Sequence, residues 1–295
     1  MHPADIAILT DEKPDDPPEI GKYLIHPLSE GWKAMGLRVT LLRGAQHFEP
    51  ARLLIPHIDA TVRPVKYDAF LRRYRGVVNR RLADVSRSGY SENLVGPDSG
   101  YAGPVIVKTN RNYGGLPELH AAAASGRRSL AERLRSRWAA FFGASPSGVA
   151  WKRVEWLDTA SYPVFKKLRD VPRGVFRNPN LVVEKFNPEI EGGHYCIRYA
   201  YVLGPRELTL RFKSRRAVVK AADAKTCEEA ETPPEIGAWR RRLGLDYGKI
   251  DFVVAGGKPV LLDVNPTPAM AALKRHNLVR RVAQALRDGV EEFLR

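Results

Sequence analysis

The sequence has only two cysteines, Cys196 and Cys227, among its 295 residues. Two cysteines are too few for a disulfide scaffold or a self-contained zinc site, and these two do not form a C-x-x-C pair. No stretch approaches the roughly 18 consecutive apolar residues of a membrane span. The residues after Met1 lack the basic and apolar regions of a secretion signal. We therefore expect a cytoplasmic protein without a membrane partner.

Acidic residues are also scarce. The chain has 33 Asp and Glu against 48 Lys and Arg, which gives a formal net charge of +15 at pH 7. Arginine supplies 33 of the basic residues, and its planar guanidinium suits phosphate and carboxylate partners. The excess predicts an anionic ligand, although a solvated arginine-rich surface would have the same composition. Hydrophobic residues make up 44% of the chain, which excludes a disordered or collagen-like protein.

The N-terminal part of the chain alternates between strand and helix patterns. The predicted strands are residues 6–9, 37–42 and 76–80, and the predicted helices are residues 20–35 and 67–74. We place a domain boundary near residue 82, so the sequence predicts an α/β domain over residues 1–82. The length leaves room for a second domain at about 150 residues per domain.

A strand that carries a basic residue precedes a glycine-containing loop after this boundary. Residues 104–109 form the predicted strand with Lys108 near its end, and the following loop contains Gly114 and Gly115. This order is typical of phosphate-binding sites. Residues 129–142 then predict a capped amphipathic helix with an arginine-rich face. No nucleic-acid-binding motif accompanies that face, so we expect it to be solvated and expect no nucleic acid partner.

The C-terminal half is rich in strand patterns. Predicted strands are residues 181–186, 194–203, 208–212 and 217–220, and residues 234–243 predict a helix. Residues 249–254 and 259–265 then predict a β-hairpin. Side chains alternate across a strand, so Asp263 and Asn265 share a face. Asp251 joins that face if it pairs with Asp263, which requires an odd number of loop residues, for instance a three-residue loop at 256–258.

Three oxygen donors on one face, without His or Cys, suit a Mg²⁺ ion that also binds phosphate oxygens. We therefore expect the metal to come with a nucleotide. The alternative is that Asp251 and Asp263 are structural carboxylates paired with Arg or Lys, and that residues 265–268 only form a turn. Uncompensated charges on a buried face cost several kcal/mol, which favours the metal site.

These residues together resemble the ATP-grasp superfamily. Residues 245–268 resemble its C-terminal metal signature, and Lys108, the loop at Gly114 and Gly115, and the apolar-apolar-Glu segment 182–186 precede it in the expected order. The resemblance covers roughly residues 80–270. In motif order the chain is similar to the carboxylate-amine ligases of that superfamily, the D-alanyl-D-alanine and RimK-type ligases.

The resemblance implies a fold of mixed α/β and α+β class. An N-terminal Rossmann-like domain over residues 1–82 would precede an ATP-grasp domain over residues 83–295. That second domain would consist of a central subdomain, about 83–186, and a C-terminal subdomain, about 187–295. The two α+β subdomains would hold ATP between them.

The resemblance also implies site residues for ATP and Mg²⁺. Contacts to the phosphates are implied for Lys108, for the backbone at Gly114 and Gly115, and for Arg87, which stands where family members often have lysine. Contacts to adenine are implied for Glu184, Lys185 and Phe186, and contacts to ribose for Glu189 or Glu191. The implied Mg²⁺ ligands are Asp251, Asp263 and Asn265.

The implied activity is ATP-dependent ligation of a small-molecule or peptide carboxylate to an amine or thiol through an acyl phosphate, with release of ADP and phosphate. Arg198 and Arg211 are candidates for the arginine that stabilises the transferred phosphoryl group, and a surface role is the alternative for each. Two other functions stay open: a kinase acting on a hydroxyl of an anionic substrate such as a polyol phosphate, and an ATP-sensing or nucleic-acid-associated module. The oligomeric state also stays open, a homodimer included.

Overall fold

The computed structural model describes residues 3–12, 20–124 and 149–295. Its N-terminal part is a parallel sheet whose central strand is a fully buried apolar run over residues 6–9. Such runs are typical of parallel strands that are covered on both faces. The strands are β1 (Ala4–Thr10), β2 (Val39–Arg43), β3 (Ala51–His57) and β4 (Gly76–Val77), in the order β2-β1-β3-β4.

Helices α1 (Ile25–Ala34) and α2 (Val65–Leu71) connect these strands and cover opposite faces of the sheet. Helix α1 packs against one set of alternating β1 side chains, and α2 packs against the other set. The strands and helices predicted at the two ends of this part are therefore present, and its extent as a domain stays a prediction. The sequence patterns missed β3, which contains Pro56, a residue that normally argues against a central strand.

A small antiparallel sheet follows. Its strands are β5 (Val105–Thr109), β6 (Val164–Phe165) and β7 (Leu181–Lys185), in the order β6-β5-β7. Alternation along β5 places Val105 and Val107 in a core with Val175, while Ile106 and Lys108 face the other way. The helices described in this part are α3 (Arg87–Tyr90), α4 (Leu116–Ala124) and α5 (Arg173–Phe176).

The largest sheet is antiparallel. Its strands are β8 (Glu189–Glu191), β9 (His194–Leu203), β10 (Arg206–Ser214), β11 (Thr226–Ala230), β12 (Tyr247–Ala255) and β13 (Lys258–Asn265). The order is β11-β10-β9-β12-β13, and β8 pairs with β9. Helix α6 (Pro234–Leu243) covers one face through Ile236 and Trp239. The opposite face shares a core with the N-terminal sheet and with α7 (Ala271–Arg275) and α8 (Val279–Leu286).

The expected fold class is confirmed, because a parallel sheet with helices precedes two antiparallel sheets with helices. The strand expected at residues 217–220 is wrong: this segment is irregular, and its apolar side chains line a cleft instead. The helix expected at residues 129–142 lies outside the described residues. The boundaries proposed near residues 82 and 186 fall in loops, and the division into domains stays a prediction.

None of the helices in the described ranges combines the length and the apolar character that a membrane span requires.

Candidate active site

A cleft lies between the small sheet and the edge of the large sheet that strands β12 and β13 form. Lys108 lines the cleft on the side of the small sheet, and Asp251 and Asp263 line it on the side of the large sheet. The connection between the two sheets, residues 185–188, and the segment 217–220 also line it. The space between protein atoms is about 720 Å³, including the open mouth.

The predicted pairing of Asp251 with Asp263 is confirmed, although the hairpin reaches it by a different route. The loop has two residues, the glycines 256–257, with φ of 58° and 76°, and the expected three-residue loop is wrong. A two-residue loop alone would leave Asp251 on the opposite face from Asp263. A β-bulge between Asp251 and Phe252 corrects the register, because Leu262 has no residue opposite it.

Asp263 is held by two donors from helix α3. Its Oδ1 accepts hydrogen bonds from Arg87 Nη2 at 2.8 Å and from Tyr90 Oη at 3.0 Å. Arg87 Nη1 donates to the carbonyl oxygens of Thr109 and Arg111, at 2.9 and 2.7 Å, which fixes the guanidinium. Burial and the Asp263 carboxylate raise the pKa of Tyr90 well above its usual value, so its hydroxyl remains a donor. Arg87 therefore lines the cleft with its charge directed at Asp263.

Asp251 is paired with Lys249 from the same strand. The Lys249 Nζ atom lies 2.7 Å from Asp251 Oδ1 and 3.7 Å from the centre of the Tyr199 ring. Burial raises the pKa of Asp251, and the Lys249 ammonium opposes that shift. No sequence motif indicated Lys249. The alternation of side chains along β12 could have found it, because residues 249 and 251 share a face.

Asn265 closes a turn and does not line the cleft. Its Oδ1 accepts hydrogen bonds from the Thr267 backbone N at 2.8 Å and from Thr267 Oγ1 at 3.2 Å. Two features expected if the aspartates are structural are therefore present. Each aspartate pairs with a cation of the chain, and residues 265–268 begin with an Asx-type turn. The side-chain oxygen of Asn265, the third predicted Mg²⁺ ligand, is therefore engaged in hydrogen bonds within this turn.

The two cleft carboxylates fit a Mg²⁺ ion better than they fit other metals. In the described ranges, no group of three or more His, Cys, Asp and Glu side chains is arranged to hold a metal. Hard oxygen donors without nitrogen or sulfur suit Mg²⁺, which normally takes one or two protein carboxylates together with phosphate oxygens and water. Asp251 and Asp263 supply that number, so the site suits an ion that arrives bound to phosphate.

On the other wall, Lys108 pairs with Glu184. Their Nζ and Oε2 atoms are 2.7 Å apart, and both residues are buried, with 7% and 1% of their surfaces exposed. Val182 of β7 lies opposite Lys108 of β5, so Glu184 is a diagonal neighbour on the same face of the sheet. Lys185 and Phe186 line the cleft beside this pair. Glu184 therefore holds Lys108 in this structure, and its role at an adenine ring stays a prediction.

Lys220 is a further residue of the cleft, one that no sequence motif indicated. It lies in the irregular segment after β10 and lines the same cleft as the two aspartates. Burial lowers the pKa of Lys220 to about 8, although Asp251 and Asp263 oppose that shift. It forms no salt bridge with any residue of the described part. The apolar run before it predicts a strand, and no sequence pattern indicated that its ammonium enters a cleft.

Gly114 and Gly115 allow the backbone of their loop to approach the backbone of residues 155–157 closely. They have φ of 71° and 87°, and a Cβ atom on them would lie 2.4 Å from the Leu157 carbonyl oxygen and 2.7 Å from the Glu155 carbonyl oxygen. Neither glycine lines the cleft. The positive φ values explain why glycine is required here, and the predicted contact of this loop with phosphates stays a prediction.

Arg198 and Arg211 lie on the face of the large sheet opposite the cleft. Arg198 pairs in register with Phe252, which packs under α6, and Arg211 lies directly opposite Arg198. Neither arginine lines the cleft. The geometry therefore gives no support to their predicted role in phosphoryl transfer, because strand alternation turns them away from Asp251.

The two predicted ribose ligands are bound to these arginines. Glu189 accepts hydrogen bonds from Arg198 Nη2 at 2.7 Å and from the Val254 backbone N at 2.7 Å. Glu191 forms ion pairs with Arg211 at 3.0 Å and with Lys213 at 2.6 Å. Neither carboxylate lines the cleft, so a contact with ribose would require both to change partners.

No protein-family model matches the chain, and no curated protein matches it. Among solved structures, the chain is similar to D-alanine–D-alanine ligase from Bacillus anthracis, with 12% identity, a TM-score of 0.49, and coverage of 99% of this chain and 97% of that chain. It is similar to a RimK domain protein ATP-grasp from Sphaerobacter thermophilus DSM 20745, with 12% identity, a TM-score of 0.44, and coverage of 95% and 99%. It is also similar to the macrocyclase MdnC bound with precursor peptide MdnA from Microcystis aeruginosa MRC, with 11% identity, a TM-score of 0.46, and coverage of 96% and 98%. These three similarities are distant in both sequence and superposition.

The topology of the chain itself agrees with the fold that the motifs imply. A parallel N-terminal sheet precedes two antiparallel sheets, and the motif residues Lys108, Asp251 and Asp263 meet in the cleft between those two sheets. The order of its sheets and the placement of these residues are those that the resemblance to the ATP-grasp superfamily implies.

Proposed function

We propose that this chain is an ATP-dependent ligase that joins a carboxylate to an amine and releases ADP and phosphate. One observation carries the proposal: Asp251 and Asp263 meet the cations Arg87, Lys108 and Lys220 in a single cleft. Carboxylates suit Mg²⁺, and lysine and arginine suit phosphate groups. The cleft thus offers partners for both components of a magnesium-nucleotide complex.

In this proposal the adenine ring lies against residues 185–188, and the phosphates lie near Lys108 and Lys220. Asp251 and Asp263 would hold Mg²⁺, which supplies charge neutralisation on the phosphates when it is bound. Both aspartates are paired with cations of the chain, so they must exchange those partners. Asn265 would join them only by giving up its bonds to Thr267.

The proposed reaction has two steps. The γ-phosphoryl group passes from ATP to an oxygen of the substrate carboxylate, so the bond to ADP breaks and an acyl phosphate forms. The amine then attacks the acyl carbon, phosphate leaves with the electron pair of the C–O bond, and the nitrogen loses a proton to give the amide. Cations around the transferred group stabilise its charge. Lys108 and Lys220 would take this role, because both line the cleft, whereas Arg198 and Arg211 face away from it.

The test is ADP release in the presence of Mg²⁺ across pools of small-molecule and peptide carboxylates, with amines or with hydroxylamine. We expect ADP release to depend on a carboxylate and hydroxylamine to trap the acyl phosphate as a hydroxamate. The Asp263→Asn variant should lose both signals, and Glu228→Gln on the opposite face should keep them. A phosphorylated hydroxyl product without hydroxamate would identify a kinase instead. ATP binding without turnover in every pool would identify an ATP sensor.

A further inference from the structure

A second groove lies on the part of the chain that carries the small sheet. It has apolar walls, Val149, Trp151 and Pro172, and a basic side formed by Lys152 and Arg153. The space between protein atoms is about 740 Å³ and opens widely to solvent. The groove shares no lining residue with the nucleotide cleft, so the function proposed above leaves it unexplained.

The walls of the groove are held in place by hydrogen bonds and core packing. Asn178 Nδ2 donates to the carbonyl oxygens of Trp151 and Val154, both at 2.7 Å. Trp151 is 7% exposed and packs in the core of the small sheet. A Cβ atom at Gly174 of helix α5 would lie 3.1 Å from the Trp151 Cβ, so the helix approaches the tryptophan closely. The groove is therefore a fixed feature of this surface.

The segment of the chain that supplies the groove lining is strongly basic. Residues 149–180 contain seven Lys and Arg against three Asp and Glu. All seven are exposed, and none forms a salt bridge with a residue of the described ranges. They are Lys152, Arg153, Lys166, Lys167, Arg169, Arg173 and Arg177. By contrast, Arg211 and Lys213 on the large sheet are both paired with glutamates.

We propose that this groove docks an extended acidic peptide segment. An apolar side chain of the peptide would lie against Val149 and Pro172, and carboxylates beside it would meet Lys152, Arg153 and Arg173. Charge complementarity selects an acidic partner. The apolar walls favour a peptide over a single-stranded nucleic acid, because Trp151 is buried and presents no exposed ring on which bases could stack. The proposal does not depend on the chemistry of the cleft.

The test measures binding of a short fluorescein-labelled peptide, in which glutamates flank two central leucines, by fluorescence anisotropy. We expect saturable binding that weakens as salt is added, because the contacting charges are exposed. The double variant Lys152→Glu/Arg173→Glu should weaken binding tenfold or more at low salt. The variant Ala150→Glu, which adds a carboxylate at the groove lining, should weaken it in the same direction.

The matched control is Lys274→Glu/Arg275→Glu, which makes the same change of charge on exposed residues of helix α7. It should bind the peptide as the unmodified chain does. Equal loss in both double variants, or no saturable binding, would overturn the proposal, and so would tighter binding of a single-stranded oligonucleotide at the same groove. Nucleotide binding in the cleft should be unchanged in all three variants, which separates failure of this proposal from failure of the proposed ligase.

Discussion

The two faces of the large sheet carry the same kinds of charged residue in different surroundings. On the cleft face, Asp251 and Asp263 pair with Lys249 and Arg87 among buried side chains. On the opposite face, Arg211 and Lys213 form a network with Glu191 and Glu228 in contact with solvent. Residue types alone therefore do not distinguish a candidate site from a surface network. The register of each strand determines which face a charged side chain occupies.

Burial gives the two networks different energetics. Exposed ion pairs contribute little to stability and are screened by salt. A buried charge that loses its partner is left uncompensated, which commonly costs about 3–5 kcal/mol. Arg87 and Lys249 therefore compensate the cleft carboxylates in this structure, and in the proposed function a ligand with its own charges would replace those contacts. Substitutions on the two faces should separate these cases.

The largest expected effect is that of Asp263→Asn on the cleft face. This change removes one of the two carboxylates proposed to hold Mg²⁺, so we expect Mg²⁺-dependent ADP release to fall by about 10²-fold or more. Glu228→Gln on the opposite face is the matched control and should keep turnover within about twofold. Circular dichroism should show that both variants are folded. Equal losses in the two variants would remove the distinction between the faces.

A second prediction separates the structural role of Lys108 from its functional role. Lys108→Met leaves Glu184 buried without its partner, so the free energy of unfolding should fall by about 3 kcal/mol. Adding Glu184→Gln should restore most of that loss in urea unfolding. Nucleotide affinity, measured by calorimetry, should fall about tenfold or more in the single variant and should stay low in the double variant. Recovery of affinity together with stability would show that Lys108 acts only through the fold.

The third prediction concerns Lys220 and pH. Because burial lowers the pKa of Lys220 to about 8, its ammonium is charged at about pH 7 and mostly neutral at about pH 9. ATP affinity measured without Mg²⁺ should therefore fall as pH rises through this window, by at most about tenfold. Lys220→Arg keeps its charge throughout and should flatten the profile. An unchanged profile in this variant would exclude contact between Lys220 and the phosphates.

The sequence was sufficient for the parts of the site that depend on strand periodicity. It predicted the hairpin, the strand that presents Lys108 and the pairing of Asp251 with Asp263. It did not predict the β-bulge at Leu262, because the choice between a bulge and a longer loop depends on how the whole hairpin packs. A three-residue loop and a two-residue loop with a bulge both pair Asp251 with Asp263, so the predicted pairing is correct although the predicted loop is wrong.

Residues chosen by their type alone were harder to place. Arg198 and Arg211 occur on the expected strands, but one position of register decides which face they occupy. Lys220 follows an apolar run with the composition of a strand, and its position in the cleft near Asp251 and Asp263 depends on residues that are distant in sequence. Asn265 has the residue type of a metal ligand, and the local turn to Thr267 captures its oxygen.

The smallest expected effect is that of Arg211→Gln, and it is the strictest test of the comparison between the faces. Arg211 lies opposite Arg198 and away from the cleft, and its partners Glu191 and Glu228 are solvent-accessible. We expect turnover within about twofold of the unmodified chain, because loss of an exposed ion pair changes little. The measurement is ADP release at saturating ATP, beside thermal unfolding. A tenfold loss of turnover with unchanged unfolding would mean that this face contributes to phosphoryl transfer, since a surface pair has no other route to the chemistry.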